Sequence, residues 1–447
     1  HEGLVLQNKA DIHGSPEFVT FNEKIKNVGT GMRNAISGDG KTVAIRLMTT
    51  GIFEIRSEDS SKDATIDITG LPTPGVTLVH SDIREMYFDD SGNTLILGDS
   101  AGNIMDVAAG IMYSGGRVLI YSFDTNTNSW TNTLNYIGIG AFDQDYVAVG
   151  WSVSMSGNGK TAVAFSADGA GSDQEDLRIW KYNDISWVLQ TVEQPAGGLS
   201  GMLGCVAIDK QGENIVLFNR STLVMYIFAL ENDVWKVQYS ESFSNLFTGD
   251  SNPWLSFLGR IPPTIVTMAD HYRISTGVPA DYMYVFQLSK TDTSGAVSTF
   301  TKIRHLGYSA QMSANSERLA IGELEYGNYG GRTTVYNLTY DQGIIVSNLI
   351  YRIDGEIGNG FGELLSTESG YMVSLDNEGK RLVANSKYKP SSNVQQLYLV
   401  DEPKLDNVYK TLLHSTLLNE TAHEDNTIQL ATTNAGLATT NAGLATT

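Results

Sequence analysis

One short phrase recurs along the chain and constrains its fold more than any other sequence feature. It reads AISGDGKTVAI at residues 35–45, VSMSGNGKTAVA at 153–164 and MVSLDNEGKRLVA at 372–384. Looser copies occupy residues 87–97, 206–216, 267–275 and 310–321. Self-similarity at a roughly constant period is the signature of a repeat architecture, so the chain is expected to fold as a series of similar units.

Each copy of the phrase is a predicted β-hairpin. Two β-prone runs flank a polar turn with Gly, Asp or Asn, the residues that tolerate left-handed backbone angles. The turns are centred at positions 40, 92, 159, 212, about 271, 316 and 379. A second phrase, a strand that ends in an aromatic residue, follows each hairpin, as in RVLIY at 117–121 and RIWKY at 178–182.

Each unit therefore contains about four strands, because a further strand often follows the aromatic one. The prediction is an all-β fold, a seven-bladed β-propeller of four-stranded blades with an extended C-terminal tail. Radial repetition of this kind leaves few long exposed strand edges.

The most complete unit carries Leu306-Gly307, then Asn315, then Ile321-Gly322-Glu323, then GGRTTVY at 330–336. Over about residues 30–400 the units resemble FG-GAP repeats, the propeller blades of integrin α-chain heads and of many secreted proteins. TolB-like and WD-repeat propellers use similar turns. The resemblance implies an extracellular propeller in which ligand binding or adhesion is a common role.

Calcium-binding members of that family carry an Asp-x-Asp-x-Asp-Gly-x-x-Asp loop within the blade, and no unit here has it. The nearest stretch offers Asp168, Asp173 and Asp176. A cation needs several convergent oxygen ligands, so a solvated acidic loop is favoured and weak calcium binding is the alternative. We expect no cofactor, no metal site and a fold that does not depend on calcium.

The charge of the chain limits its partners. It contains 30 Lys and Arg against 50 Asp and Glu, a formal net charge of −20 over 447 residues. An excess this large argues against nucleic acid or an anionic membrane surface as a partner. No apolar run approaches the ~18 residues of a membrane helix, so membrane insertion is not expected.

Cysteine and glycosylation signals add little. Cys205 is the only cysteine, so an intrachain disulfide is excluded, and its apolar neighbours predict a buried thiol. Sequons at Asn219, Asn337 and Asn419 would become glycosylation sites if the protein is secreted.

No catalytic constellation stands out. Residues 98–102 read GDSAG and match the G-x-S-x-G nucleophile pattern, but that pattern works on a strand-to-helix elbow of an α/β sheet. Here it falls at the end of a repeat strand, where Gly and Ser suit a turn. The seven histidines form no paired metal motif. We therefore expect no catalytic residues and no enzymatic activity.

The sequence divides into three parts. Residues 1–30 form an N-terminal segment that can complete the last blade through residues 18–21, residues 31–420 form the propeller, and residues 421–447 form a tail. Near residues 407–414 the repeat predicts a closing strand, and the spacing of the leucines offers a helix as the alternative.

The tail repeats LATTNAG from residue 430 and again from 437, then begins a third time at 444. Leu430, Leu437 and Leu444 are its only sizeable apolar side chains, so we expect them to make the assembly contacts. An extended connector that docks on a neighbouring subunit is one interpretation, and a Thr-rich, O-glycosylated stalk is the other.

The expected function is therefore structural. We expect a non-enzymatic subunit of an extracellular filament, appendage or particle surface, which associates with itself or with another structural protein through its tail. An adhesion or glycan-binding propeller head is the first alternative, and a propeller hydrolase is the second.

Overall fold

The structure is a computed structural model of the 447-residue chain. It divides into two compact units, residues 1–400 and 401–447, and all of the described residues belong to the first. They are 33–46, 51–69, 76–78, 83–99, 103–106, 111–114, 116–138, 147–168, 177–195, 198–199, 204–219, 224–242, 263–278, 282–290, 299–304, 307–323, 332–341, 344–354, 373–387 and 393–399.

The described residues form strands and turns and no helix, which confirms the all-β prediction for this part of the chain. Accordingly, no helix among them is long and apolar enough to cross a membrane. Sheet 1 contains β1 (Arg33–Ile36), β2 (Thr42–Arg46), β3 (Ile52–Ser57) and β4 (Ala64–Asp67). A small separate sheet contains β5 (Val76–Leu78), and its other strands are β8 (Asn103–Asp106) and β9 (Ile111–Ser114).

The remaining sheets follow in chain order. Sheet 2 contains β6 (Ile83–Phe88), β7 (Thr94–Asp99), β10 (Gly116–Asp124) and β11 (Ser129–Gly138), and sheet 3 contains β12 (Val147–Met155), β13 (Thr161–Asp168), β14 (Leu177–Tyr182) and β15 (Trp187–Leu189). Sheet 4 contains β16 (Thr191–Val192), β17 (Gly204–Ile208), β18 (Asn214–Asn219), β19 (Val224–Glu231) and β20 (Val234–Ser242).

Sheet 5 contains β21 (Thr264–Thr267), β22 (His271–Val278), β23 (Tyr282–Ser289) and β24 (Thr299–Arg304). Sheet 6 contains β25 (Gly307–Met312), β26 (Arg318–Glu323), β27 (Arg332–Asp341) and β28 (Ile344–Asp354), and sheet 7 contains β29 (Val373–Leu375), β30 (Arg381–Lys387) and β31 (Asn393–Leu399). Each of these numbered sheets is an antiparallel meander, to which sheet 4 adds β16 in parallel.

The numbered sheets close into a ring. The inner strand β1 packs against β6, β6 against β12, β12 against β17, and β17 against β21. Sheet 5 then contacts β25 through β22, and β25 and β1 both contact β29. Sheets arranged radially in a closed circuit form a β-propeller, the architecture that the repeat predicts.

The hydrophobic core lies between the faces of neighbouring sheets. Each described cluster of buried apolar residues joins two consecutive sheets. Between sheets 1 and 2, for example, the rings of Phe53 and Tyr121 meet edge to face at a centroid distance of 5.7 Å. Val383 of sheet 7 packs with Ile36, Val43 and Ile45 of sheet 1, so the same kind of contact closes the circuit.

Six of the hairpins between the first two strands share one turn. In each six-residue turn, the side chain of the first residue accepts main-chain N–H groups near the start of the next strand, as Ser37 does from Thr42 at 3.0 Å and Asp89 from Thr94 at 2.9 Å. The fourth residue has a left-handed φ, which glycine adopts at little cost. The fourth residues are Gly40, Gly92, Gly159, Gly212, Ser316 and Gly379, which confirms six of the seven predicted turn positions.

Main-chain hydrogen bonds link these turns into what we call the turn belt. The N–H group of one turn donates to a carbonyl of the next turn around the ring. The bonds are Asn315 to Asn377 (3.3 Å), Asn377 to Gly38 (2.9 Å), Asp39 to Asp90 (2.8 Å), Asp90 to Gly157 (2.8 Å) and Gly157 to Lys210 (2.9 Å). The belt therefore joins sheets 6, 7, 1, 2, 3 and 4.

A second set of bonds, the edge caps, covers the inner strands. The edge of an inner strand that faces the axis has no neighbouring strand, and its polar groups need other partners. Side chains of the preceding sheet accept from these N–H groups. The caps are Glu85 on Val153 (2.8 Å), Ser152 on Val206 (3.1 Å), Ser154 on Ile208 (3.3 Å), Thr264 on Met312 (3.4 Å) and Gln311 on Leu375 (3.0 Å).

One buried ion pair holds sheets 1 and 2 together. The Arg117 guanidinium donates to the Asp99 carboxylate at 2.8 Å and to the Ile68 carbonyl of sheet 1 at 3.0 Å. The two charged side chains are 1% and 0% exposed. Buried charges persist in folded proteins when they are paired and hydrogen-bonded, and both conditions hold here.

Candidate functional site

A cavity of about 290 Å³ lies on the axis of the ring, at the end where the six-residue turns meet. Residues of all seven numbered sheets line it, because each inner strand runs along the axis up to its turn. The volume falls just below the roughly 300–1,000 Å³ that is typical of small-ligand pockets. The axial cavity can therefore hold a small group such as one apolar side chain with a short piece of backbone.

Apolar side chains and polar groups both contribute to the wall of the axial cavity. Methionines from four sheets contribute to it, namely Met86, Met155, Met268 and Met312. Met86 and Met312 are buried. Methionine is unbranched and polarizable, so such a wall adapts to the shape of what it contacts.

Three polar side chains cross part of the cavity mouth. The Asp90 carboxylate accepts a hydrogen bond from the Asn377 amide at 2.7 Å and forms an ion pair with the Lys210 ammonium at 2.8 Å. Asp90 and Lys210 are 32% and 45% exposed at the side chain. Solvent screens such a pair, which contributes little to stability but sets the polarity of the mouth.

The small residues beside Asp90 make this arrangement possible. The second residues of the six-residue turns point towards the mouth, and Asp90, Lys210 and Asn377 alternate around the ring with Gly38, Gly157 and Ala314. A Cβ atom at position 157 would lie 2.5 Å from Lys210 Cγ and 2.7 Å from the Asp90 carboxylate. Larger residues at positions 38 and 157 would displace the polar side chains from their present contacts.

Two further titratable groups, Tyr87 and Asp376, line the cavity. Burial, followed by the nearby Glu85 carboxylate, raises the pKa of the Tyr87 hydroxyl well above its ordinary value. Burial likewise raises the pKa of Asp376, against hydrogen bonds from main-chain N–H groups that lower it. The lining serines are engaged between sheets, since Ser154 accepts from Ile208 and Ser374 donates to Asn34 at 2.8 Å.

The nucleophile-like pattern has a structural explanation in its described half. Gly98 and Asp99 end β7, where Asp99 binds Arg117. A Cβ atom at position 98 would collide with the main chain of Gly150, so the glycine lets sheets 2 and 3 approach closely. Ser100 lies outside the described residues.

The remaining predicted site residues are dispersed. Asp168 is the last residue of β13, while Asp173 and Asp176 lie outside the described residues. Among the residues that the structure describes, no group of three or more His, Cys, Asp or Glu side chains is placed to hold a metal ion. Cys205 lies buried in β17, as its apolar neighbours predict.

The sequons differ in their surroundings. Asn219 ends β18 with its side chain fully buried, which leaves no room for a glycan in this conformation, whereas Asn337 is half-buried in β27. Asn419 and the tail residues Leu430, Leu437 and Leu444 lie outside the described residues.

The polar mouth of the axial cavity was not anticipated from the sequence. The sequence signal for this polar mouth is the second residue of each six-residue turn. That residue is Asp90, Lys210 or Asn377 in three turns and Gly or Ala in the other three. An alignment of the six turns on their left-handed residues would have isolated these three side chains.

Comparison with known proteins gives a fold-level likeness alone. No family model and no curated protein sequence matches the chain. Among solved structures, the chain is similar to one from the crystal structure of a mitotic checkpoint complex, at 11% identity and a TM-score of 0.48, covering 82% of this chain and 88% of that one.

Two further structures are similar at the same level. The RRP9 WD40 repeats align at 11% identity and a TM-score of 0.45, over 83% of this chain and 94% of theirs. The β-propeller domain of Cps50 (Swd1) from Myceliophteria thermophila aligns at 11% identity and a TM-score of 0.47, over 83% and 96%. The FG-GAP repeat type stays a prediction.

Proposed function

We propose that the protein is a non-enzymatic structural subunit of an extracellular filament, appendage or particle surface, whose propeller is linked to other copies through its C-terminal tail. In this proposal the ring is a seven-bladed propeller of four-stranded blades. The fourth strand of the last blade comes from residues 407–414 or 18–21, both of which lie outside the described residues.

The observation that carries the proposal is the use of the polar groups around the axis. Glu85, Ser152, Ser154, Thr264 and Gln311 cap main-chain N–H groups of the adjacent sheet, and Ser374 binds Asn34. Enzymes instead place acids, bases and nucleophiles where a substrate can reach them. Side chains that join sheets make a rigid module, which is what a subunit of a larger assembly needs.

The tail supports the linking role. Residues 430–447 carry no charged side chain, and leucine occurs once per seven residues. An isolated polar segment loses roughly 1–2 kcal/mol per residue in backbone entropy on ordering, which its few apolar groups cannot offset alone. Main-chain pairing with another chain can offset it, because strand addition requires little from the side chains.

Removal of residues 421–447 tests the proposal. We expect the full chain to form species larger than a monomer in light scattering, and the truncated chain to be monomeric with an unchanged far-ultraviolet circular dichroism spectrum. A chain whose tail is scrambled at constant composition is the matched control, and it should assemble less than the full chain. If all three chains are monomeric and bind glycans on an array, the adhesion-head alternative replaces the proposal. Turnover of ester or glycoside substrates by all three would favour the hydrolase.

A further inference from the structure

Sheet 5 interrupts the turn belt. Its first hairpin is shorter than the others, because Met268 N–H donates to the His271 carbonyl at 2.9 Å across only two intervening residues. Among the described residues, belt bonds reach Lys210 on one side and resume at Asn315 on the other. At this interruption the continuous stretch 263–268 contributes to the lining of the axial cavity.

The hairpin geometry fixes which main-chain groups of β21 face the axis. Antiparallel pairs alternate between hydrogen-bonded and non-hydrogen-bonded types. Since Met268 and His271 form a hydrogen-bonded pair, the pair Val266–Arg273 is of the same type and the pairs of Ile265 and Thr267 are not. The N–H and C=O groups of Ile265 and Thr267 therefore point away from β22, towards the axis.

These two groups lack the edge caps found in sheet 4. In sheet 3, Ser152 and Ser154 cap Val206 and Ile208 of the next sheet. The equivalent positions in β17 are Cys205 and Ala207, which lie four and two residues before the first turn residue Asp209 and carry no hydroxyl group. Within the described part of the chain, no side chain caps the Ile265 or Thr267 amide, so a short strand edge borders the cavity.

We propose that the axial cavity of one copy binds a short stretch of the C-terminal repeat (residues 430–447) of a second copy, as an added strand along β21. This inference rests on the tail-linked assembly proposed above, and it identifies the axial cavity as the site that binds the tail. Peptide main chain would pair with Ile265 and Thr267, and one leucine of the repeat would enter among the methionines beside Met268 and Met312.

The chemistry of the cavity matches an uncharged peptide. The charged side chains in its described lining are Asp90, Lys210 and Asp376; the first two neutralise each other, and Asp376 is buried with a raised pKa. A strongly charged ligand would have to displace the Asp90–Lys210 pair. LATTNAG has no charge, small residues that let its backbone approach a strand, and one leucine per repeat.

The outer edge of sheet 6 is the competing receptor for the same tail. Strand β28 exposes Ile344, Val346 and Leu349 at 63%, 42% and 45%, and it is an edge strand. Unprotected edges of this kind are templates for strand addition. The test must therefore separate the axial edge from this outer edge.

In the experiment, a chain that ends at residue 420 is titrated with a synthetic peptide, LATTNAGLATTNAG, which is acetylated at its N-terminus and amidated at its C-terminus. Spectra of methyl-labelled methionine report on the cavity wall. We expect saturable shifts of the Met268 and Met312 methyl signals. Ala207→Ser restores the missing cap and should weaken binding about three- to tenfold, in line with one competing hydrogen bond. Ala314→Trp, which fills the mouth from a turn, should abolish it.

Two matched variants keep the result interpretable. Ala162→Ser makes the same substitution at a buried alanine of β13 that does not line the cavity, and it should leave affinity unchanged, as should Val346→Lys on β28. The proposal is overturned if the folded protein shows no shift at the cavity methionines, or if Val346→Lys abolishes binding while Ala207→Ser and Ala314→Trp do not. Loss of assembly on tail deletion together with that result would leave the structural function standing and remove only this receptor.

Discussion

Sheet 5 and the six other numbered sheets pack into the same ring, but they use different residues near the axis. The six others meet through the turn belt, and several of their inner strands carry edge caps. Sheet 5 has a two-residue hairpin. The inner strand of the preceding sheet, β17, reads GCVAI and has no hydroxyl, amide or carboxylate side chain to cap β21. The same hydrophobic contacts between sheets hold both regions, so the difference lies in the hydrogen bonds and not in the core.

The comparison shows that, among the described residues, one inner strand of a repeat fold can lack edge caps along its axial edge while the hydrophobic core beside it stays buried. Ile265, Ile274 and Phe286 are buried against sheet 4 as thoroughly as their counterparts elsewhere. Hydrophobic burial therefore closes the circuit, while the polar contacts decide which strand edge remains available. Removing polar contacts in the two regions should have opposite consequences.

The largest expected effect is at the Arg117–Asp99 pair, on the well-joined side of the ring. Asp99→Ala leaves a fully buried guanidinium without its carboxylate and should lower the free energy of unfolding by about 3–5 kcal/mol. Urea denaturation followed by tryptophan fluorescence measures it. Asp184→Asn, which weakens the exposed pair with Lys160, is the control and should change it by less than about 0.5 kcal/mol. A loss below 1 kcal/mol at Asp99 would contradict the structural role.

The next effect concerns the six-residue turn itself. Gly92 has φ +64°, and a Cβ atom there would lie 2.6 Å from Thr42 Oγ1 and 3.0 Å from Ser37 Cβ. Gly92→Ala should therefore cost about 2 kcal/mol, from left-handed backbone strain of roughly 1–2 kcal/mol and displacement of the neighbouring turn. Ala269→Gly in the sheet 5 hairpin should cost less than about 1 kcal/mol. Equal costs in calorimetric unfolding would remove the distinction between the two hairpins.

A smaller effect of the opposite sign is expected within sheet 5. Thr276 is 1% exposed, and its hydroxyl has no hydrogen-bond partner among the residues that the structure describes. Thr276→Val should be neutral or stabilise the fold by up to about 1 kcal/mol, since it removes a buried hydroxyl that gains nothing from folding. Ser374→Ala is the counterpart in sheet 7 and should cost about 1 kcal/mol, because that hydroxyl binds Asn34. Destabilisation by both variants would show that Thr276 is satisfied after all.

The smallest effect is a pH dependence within the belt. Burial raises the pKa of Asp89 above its ordinary value, while hydrogen bonds from Ser91, Thr94 and Asn93 oppose the shift. The raised pKa favours the folded state most below the unfolded pKa, and this contribution disappears as the pH rises through the folded pKa. Asp89→Asn should therefore gain stability relative to wild type between pH 3 and pH 7. A constant difference over that range would contradict the shift.

Much of the ring could be predicted from the repeat phrase. Turn residues report directly on local backbone geometry, so positions 40, 92, 159, 212, 316 and 379 were placed correctly. Near position 271 the phrase is faintest, and the structure has no left-handed residue there but a tighter hairpin. The weakest copy of the sequence phrase and the interruption of the turn belt therefore fall at the same hairpin.

The cavity mouth and the edge caps could not be predicted in the same way. A cap such as Glu85 on Val153 joins residues 68 positions apart, and Asn377 reaches Asp90 across 287. Local patterns carry no information about such partners, since the contacts arise only when the ring closes. The burial of Asn219 at a sequon is another consequence of closure that three residues of sequence cannot encode.

Hydrogen exchange of the inner-strand amides tests the central claim most directly, namely that the axial edge of sheet 5, which among the described residues lacks both the turn belt and edge caps, is less protected than the capped inner strands. Amides of Val153, Val206, Ile208, Met312 and Leu375 are capped, and each needs an opening fluctuation before it exchanges. We predict that Ile265 and Thr267 exchange at least about tenfold faster than these five at neutral pH. Equal protection of all seven amides would contradict the account.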